Sequence, residues 1–180
     1  SMTDSEKAQE VINLTPARKR ILCIVDNPDW IFHRHATTLS NLLKDEFEIS
    51  IGYRNQSYDE NAYDLIYPLE FNMVSPEQIK NPSKYVTGIR SLIAWTEWDF
   101  LTLINFLVTH YQSIHVVSKE LFDIFSPYIP DLQYVSHGVD TQLFSPSSSP
   151  QSDPDKLRLG WAGNRHTAVK GYQSFIQPLS

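Results

Sequence analysis

Ile21-Leu22-Cys23-Ile24-Val25, followed directly by Asp26-Asn27-Pro28, is the segment that best indicates the architecture of this chain. An uninterrupted apolar run of this length is typical of a strand that is buried on both faces, as in a parallel sheet. The polar and proline residues after Val25 end that strand. The sequence therefore predicts a central strand here, with a loop of functional interest directly after it.

Strands and helices alternate after this first strand. Apolar residues first recur at helical spacing, then alternate with polar residues, and then form short runs between polar and proline residues. The predicted helices carry Phe32, Ala36, Leu39, Leu42 and Leu43, then residues 100–110 after a cap at Asp99, then the residues after a cap at Ser118. The predicted strands are 47–53, 65–67, 85–93, 114–117 and 134–136. Because residues 100–110 are almost wholly apolar, we expect that helix to be buried around most of its circumference.

This alternation predicts an α/β fold with a doubly wound, Rossmann-like parallel sheet and right-handed crossovers. Ligands of such sheets bind outside the carboxyl ends of the strands. Functional residues are therefore expected in the loops after Val25, Ile93, Val117 and Ser136.

The composition is that of an ordinary globular protein, with 180 residues of which 41% are hydrophobic and 20% charged. The net charge of -6 argues against a nucleic-acid partner, because such proteins carry a basic excess. The tight basic cluster Arg18-Lys19-Arg20 is either a solvated flank of the first strand or a weak contact with an anionic membrane.

Cys23 is the only cysteine in the sequence. No intrachain disulfide can form, and a single unpaired thiol fits a reducing compartment. No apolar run approaches the roughly 18 residues of a membrane span, and no signal pattern is present. We therefore expect a cytoplasmic protein, with peripheral contact at the inner face of the membrane left open.

The sequence divides into four predicted parts. Residues 1–17 are polar and read as a flexible N-terminal arm, and residues 18–145 carry the strand and helix alternation. Residues 146–156 are rich in proline and serine, which indicates a linker. Residues 157–180 are predicted to begin a second domain with a strand at Leu157-Arg-Leu-Gly-Trp-Ala-Gly163, and we expect the natural protein to continue beyond Ser180.

Two segments resemble the GT-B-fold retaining glycosyltransferases, specifically glycosyltransferase family 4, also called group 1. The first is Val135-Ser-His-Gly-Val-Asp-Thr-Gln-Leu-Phe-Ser-Pro146, which is similar to the Asn-Gly-Val-Asp…Phe-x-Pro ending of the family's N-terminal domain. The second is Leu159-Gly-Trp-Ala-Gly-Asn-Arg-His-Thr-Ala-Val-Lys-Gly171, which is similar to the first strand and loop of the family's C-terminal domain. The two segments cover about 35 residues and stand in the family's order across a linker.

The resemblance implies that the chain is the acceptor-side half of an enzyme that transfers a sugar from a nucleotide diphosphate donor, with retention, to a glycan or lipid-linked acceptor. It assigns donor phosphate binding to Gly163, Asn164, Arg165, Lys170 and Gly171, with Asn164 standing where the family carries arginine. Backbone N–H groups of a glycine turn and a lysine charge suit a diphosphate leaving group. The nucleotide sugar is a co-substrate, so no cofactor is implied, and no metal ligand set is recognised. The catalytic residues of the family lie beyond Ser180.

The acceptor-side cleft is expected around Trp95, Glu97 and Trp98, after the predicted fourth strand. Sugars stack on aromatic rings and bond to carboxylates, so these residues suit an acceptor subsite. The alternative is equally open: both tryptophans fill the core and Glu97 is solvated.

Further candidates for the cleft are His33, Arg34, His137 and Gly138. His33-Arg34-His35 begins the first helix, and one of its histidines is expected to touch the acceptor; otherwise all three residues are solvated. His137 precedes the predicted domain crossing, and its alternative is a strand-end histidine bonded to the backbone.

Two other functions are alternatives for the whole chain. One is a non-catalytic sugar-binding GT-B module of a polysaccharide-synthesis protein. The other is a receiver-like signalling domain, which requires an acidic pair after the first strand, whereas Asp26 is followed by Asn27 and Pro28. Because residues 157–162 would form an unpaired strand, they are also expected to permit self-association.

Overall fold

The computed structural model of the protein describes residues 2–6, 17–146, 160–163, 166 and 168–179. The strands of this part are β1 (Lys19–Val25), β2 (Phe47–Tyr53), β3 (Leu65–Pro68), β4 (Val86–Ile89), β5 (Ser113–Val116) and β6 (Gln133–Tyr134). The α-helices between them are α1 (Ile31–Leu42), α2 (Phe100–His110) and α3 (Lys119–Phe125).

The strands form two parallel three-stranded sheets, in the orders β2-β1-β3 and β4-β5-β6. An isolated parallel bridge joins Ile66 of β3 to Tyr85, just before β4. The hydroxyl of Thr87 also donates to the carbonyl of Pro68 at 2.8 Å. The predicted parallel α/β fold is therefore confirmed, and the arrangement is compatible with a Rossmann-like sheet.

The direction of the chain changes between β1 and β3. The connection through α1 leads from β1 outward to β2, and the connections through α2 and α3 lead the other way, to β5 and β6. With the usual right-handed crossover, α1 lies on one face of the sheet and α2 and α3 on the other. The carboxyl ends of β1 and β3 thus mark the switch point at which ligands of such sheets bind.

β1 is buried along most of its apolar run, as the sequence predicts. Leu22, Cys23, Ile24 and Val25 are all buried, and burial raises the pKa of the Cys23 thiol to about 12 against a smaller opposing effect of the charge of Arg90. In β2, by contrast, Glu48 and Ser50 alternate with partly buried apolar residues. The predicted two-residue period of that strand is confirmed.

Both predicted helix caps are confirmed. Asp99 Oδ2 accepts a hydrogen bond from the backbone N–H of Thr102 at 3.0 Å, and Ser118 Oγ accepts one from Leu121 at 3.2 Å. Each bond satisfies one of the N–H groups that the first turn of a helix leaves unpaired. The caps fix where α2 and α3 begin.

The prediction that α2 is buried around most of its circumference is wrong. Leu103, Phe106 and Leu107 are buried, but Leu101 is 68% exposed and Val108 46% exposed. The helix packs on the sheet through one face only, and nothing in the described residues covers its other face. The prediction that Leu42 lies on the buried face of α1 is also wrong, because its side chain is 75% exposed.

Several predicted bounds also change. β4 ends at Ile89 rather than 93, because Arg90 turns its side chain back toward the end of β3. The strand predicted over 157–163 is not formed by its described part, 160–163. Residues 7–16 of the predicted arm and 147–159, which include most of the predicted linker, lie outside the described residues. Self-association through 157–162 therefore stays a prediction.

The chain groups into two compact units, one up to Gly138 and one from Val139. In the second unit, Asp140 Oδ1 accepts from the N–H groups of Gln142 and Leu143 and thereby fixes a turn in the Val135–Pro146 segment. The domain bounds predicted from the sequence stay predictions. Among the described residues, no helix combines the length and the apolar character that crossing a membrane requires.

Leu103 and Leu101 provide a matched test of the one-sided packing of α2. We expect Leu103→Ala to lower the free energy of unfolding by about 2–4 kcal/mol, because it leaves a cavity in the core. Leu101→Ala should change it by no more than about 0.5 kcal/mol. Urea denaturation of both variants measures the difference, and equal losses would contradict the packing described.

Candidate functional site

Polar side chains gather at the carboxyl edge of the sheet, beside the switch point. Tyr67 lies near the end of β3, Arg90 directly follows β4, and His115 lies near the end of β5. Parallel strands bring these positions to one edge. His137 follows β6 and His35 comes from α1. We call these five residues, with Glu70, the edge cluster.

Arg90 is the centre of the edge cluster. Its Nε donates to the carbonyl of Leu69 at 2.7 Å, and its Nη2 donates to the phenol oxygen of Tyr67 at 2.6 Å. Its backbone N–H donates to the carboxyl of Glu70 at 3.0 Å. Two side-chain bonds and one backbone bond hold the planar guanidinium in a fixed orientation.

The phenol oxygen of Tyr67 connects Arg90 to His115 through two hydrogen bonds. The phenol oxygen lies 2.6 Å from Nε2 of His115, and because that oxygen accepts from Arg90, its own proton is free for the imidazole. A neutral imidazole that accepts at Nε2 carries its proton on Nδ1. Nδ1 is buried and has no hydrogen-bond partner within the described residues.

The positive charge of Arg90 contributes to a lowered pKa of three histidines in the edge cluster. Burial, with the charges of Arg90 and His137, lowers the pKa of His115 to about 4. Burial and the same two charges lower the pKa of His35, and burial and Arg90 lower that of His137. At neutral pH the three histidines are therefore neutral, and Arg90 is the positive charge of the cluster.

Glu70 does not neutralise that charge. Its side chain is buried, and burial raises the pKa of its carboxyl to about 8, although the hydrogen bond from the Arg90 backbone and the guanidinium charge act in the opposite direction. Near neutral pH most Glu70 side chains are consequently protonated. No ion pair joins Arg90 to a carboxylate among the residues described.

Gly88 makes room for His115. A Cβ at this position of β4 would lie 2.7 Å from Cε1 and Nε2 of His115 and 3.1 Å from the carbonyl oxygen of Leu69. Any other residue would force the ring to move. The glycine in β4 is therefore what allows the imidazole to lie against the sheet.

Three rings line the outer part of the cluster. The centroids of His35 and His137 are 5.3 Å apart, and Phe32 meets His35 edge to face at 6.5 Å. The guanidinium carbon of Arg90 lies 6.0 Å from the centroid of Phe32. An aromatic ring and two imidazoles thus frame the same cation.

The structure brings only part of the predicted acceptor cleft together. His137 belongs to the edge cluster, and Gly138 follows it in an exposed position. His33 accepts instead from the backbone N–H of Asp29 at 3.1 Å and lies 6.0 Å from the ring of Tyr53. Arg34 is exposed on α1.

Trp95 and Trp98 are half-buried against the aromatic core. The ring of Trp95 lies 5.3 Å from Phe125, and that of Trp98 stacks on Phe106 at 5.4 Å. Glu97 between them is exposed. These positions agree with the alternative in which both tryptophans pack against the core and Glu97 is solvated. An acceptor-binding role of the three residues stays a prediction.

The predicted donor residues lie in the second unit. Gly163 is close to Lys170, since an added Cβ would meet the Lys170 Cβ at 3.3 Å. Nε1 of Trp161 donates to the Lys170 carbonyl at 2.8 Å, and Gly171 has a positive φ of 71°. Asn164 and Arg165 lie outside the described residues. The structure thus groups Gly163, Lys170 and Gly171 in one local turn.

Sequence analysis missed most of the edge cluster. Tyr67, Arg90 and His115 lie inside the predicted strands 65–67, 85–93 and 114–117, and Glu70 lies three residues beyond the first of these. A charged residue within such a run is a signal in itself, because charges are buried only with partners. His35 was considered only with its two neighbours, since spacing alone does not say which of three helical residues faces the sheet edge.

A second concave region lies at the opposite, amino edge of the sheet. Its residues include Tyr58, Glu60, Gln78 and Lys80. The Glu60 carboxylate already accepts from the Tyr85 hydroxyl at 2.7 Å and from the Lys80 N–H at 2.7 Å, which stabilises the local turns. Within the described ranges, no group of three His, Cys, Asp or Glu side chains is placed to hold a metal ion.

No protein-family model matches the chain, and no curated protein has significant sequence similarity to it. The function must therefore be argued from the residues themselves.

Gly88 and His115 form a testable pair. We expect Gly88→Ala to lower the free energy of unfolding by about 1–3 kcal/mol, because the added methyl group overlaps the imidazole. In a His115→Ala background the same substitution should cost at least about 1 kcal/mol less. Thermal and urea denaturation of the double-mutant cycle measure this coupling; additive effects would show that the ring is not the obstacle.

Glu70 should make stability depend on pH. Its folded pKa of about 8 exceeds that of an unfolded carboxyl, so the folded state holds an extra proton between the two values. Stability then falls as pH rises through this window, by at most about 1.4 kcal/mol per pH unit. His115, with its lowered pKa, acts in the opposite direction, but only below about pH 6.5.

The isosteric substitution Glu70→Gln isolates this effect. We expect the difference in unfolding free energy between the variant and the wild type to grow in favour of the variant from about pH 6.5 to about pH 8. Urea denaturation at several pH values measures it. A constant difference would mean that Glu70 is ionised throughout.

Proposed function

We propose that this chain is the acceptor-binding part of a retaining GT-B-type glycosyltransferase, which moves a sugar from a nucleotide diphosphate to a glycan or lipid-linked acceptor. The observation that carries the proposal is the position of His137. It joins the edge cluster at the switch point of the sheet, and Gly138-Val139-Asp140, the segment that resembles the family's domain crossing, follows it directly.

The edge cluster supports binding of a polyhydroxylated acceptor. Imidazole nitrogens, a phenol and a guanidinium can all bond to hydroxyl groups, and the aromatic rings beside them suit the C–H faces of a sugar. Arg90 and Tyr67 are held by their own hydrogen bonds before any ligand arrives. Fixed donors of this kind orient an acceptor at little entropic cost.

The second unit supports a donor site of the predicted kind. The positive φ of Gly171 and the turn that groups Gly163 with Lys170 leave a cation beside a glycine-bearing loop. In a retaining transfer the bond between the sugar and the diphosphate breaks, and negative charge develops on the leaving phosphate. Lys170 would stabilise that charge.

A panel of nucleotide sugars provides the first test of the proposed transfer. The natural protein that contains this chain should be incubated with nucleotide sugars and candidate glycan or lipid-linked acceptors. We expect one donor to be consumed, with the anomeric configuration kept in the product. Failure to bind or consume any donor would contradict the proposal, and sugar binding without donor turnover would favour a non-catalytic module.

Lys170→Ala tests the donor site within an active protein. We expect kcat/KM to fall by about 100-fold or more, the scale of losing one stabiliser of developing charge. Lys44→Ala is the matched control, because Lys44 lies in an exposed position before β2. Steady-state kinetics measure both variants, and an unchanged Lys170→Ala protein would remove Lys170 from the donor site.

A further inference from the structure

The edge cluster carries a positive charge that the described residues do not balance. Arg90 carries a positive charge, and the carboxyl of Glu70, which accepts a hydrogen bond from the Arg90 backbone, is held largely neutral by burial. A half-buried cation without a counterion is costly unless a ligand or solvent compensates it. The electrostatics of this edge therefore favour binding of an anion.

The free donors are also placed for an anion. Nε and Nη2 of Arg90 are used by Leu69 and Tyr67, whereas Nη1 forms no hydrogen bond among the described residues. The ring of Phe32 lies 6.0 Å from the guanidinium carbon and 6.5 Å from the ring of His35, which in turn lies 5.3 Å from the ring of His137. One fixed guanidinium N–H and two neighbouring imidazoles that can each take up a proton are therefore available to an anion at this edge.

We propose that Arg90, His35 and His137 bind the oxyanion of a phosphate ester at the carboxyl edge of the sheet. The guanidinium supplies a fixed charge with a directed N–H, and the imidazoles supply donors when they are protonated. This inference concerns binding by the first unit alone. If the proposed transfer is correct, the phosphate belongs to the acceptor rather than to the donor.

Binding should be coupled to proton uptake. An anion beside His35 and His137 favours their charged forms and opposes the effect of Arg90. Affinity should then rise as pH falls, while ionisation of Glu70 at high pH should weaken it further. The other titratable groups facing Arg90 are Cys23, Tyr67 and His115.

Sulfate is the appropriate probe, because its charge does not change in the range used. The 180-residue chain should be titrated with sodium sulfate at constant ionic strength, followed by calorimetry. We expect saturable binding to one site, at least about 10-fold tighter at about pH 5.5 than at about pH 8. Binding that is absent, or that does not depend on pH, would overturn the proposal.

Arg90→Gln should weaken sulfate binding by at least about 10-fold, whereas Arg20→Gln should not change it. Arg20 is the matched control because it lies at the amino end of β1, paired with Asp64 at 3.9 Å on the opposite edge. His137→Gln should weaken binding at low pH and flatten the pH dependence. Equal affinity of a folded Arg90→Gln protein would overturn the assignment.

If Arg90→Gln does not fold, the histidines of the wild-type protein provide the test of the proposed site. Saturating sulfate should raise the pKa of His35 and His137 in an NMR titration and leave that of His110, on α2, unchanged. Uniform shifts of all three, or none, would contradict a local site. Donor turnover is not required for any of these readouts, so their failure and failure of the proposed transfer can be distinguished.

Two sources of the phosphate ester can then be separated. Competition of a soluble hexose phosphate with sulfate, lost in Arg90→Gln, would indicate a free sugar phosphate. Co-sedimentation with phosphatidylglycerol vesicles but not with phosphatidylcholine vesicles, again lost in Arg90→Gln, would indicate a lipid headgroup. If neither binds through Arg90, the site is not one for phosphate esters.

Discussion

The seam between β3 and β4 is the constraint on which the rest of the structure depends. Here the continuous ladder of main-chain hydrogen bonds gives way to one isolated bridge, between Ile66 and Tyr85. Pro68 has no N–H to donate, and its carbonyl accepts from the hydroxyl of Thr87 instead. Side-chain hydrogen bonds therefore take the place of the missing main-chain bonds between β3 and β4, and Arg90 donates two of them.

The same bonds that close the seam create the edge cluster. A guanidinium that must reach Leu69 and Tyr67 is held at the carboxyl edge, where burial and, to a smaller extent, the Arg90 charge keep the surrounding imidazoles neutral. Burial of Glu70 in the same place removes the natural counterion. A structural requirement of the sheet and an unbalanced charge at its ligand-binding edge thus have one cause.

The sequence predicts the backbone of this fold better than its chemistry. The apolar run of β1, the two-residue period of β2 and the caps at Asp99 and Ser118 depend on local rules, and all are found. The exposure of Leu101 could not be predicted, because composition does not say which face of an apolar helix a sheet covers.

The edge cluster is harder to predict because it is assembled from four strands and a helix. Tyr67 and His115 are 48 residues apart in the chain, and no local pattern links them. His33 and His35 differ only in which side of α1 they occupy, and that depends on the angle at which the helix packs. The sequence predicts only that functional residues lie at the carboxyl edge of the sheet, not which residues these are.

Because Cys23 is buried in the sheet, the reactivity of its thiol reports whether the protein is folded. This single thiol lies in the central strand, with a pKa of about 12, and so is both shielded and almost entirely protonated at neutral pH. Modification by a thiol reagent requires the middle of the sheet to separate. The native chain can therefore be followed by its labelling rate, in vitro or in a cell extract, without an added tag.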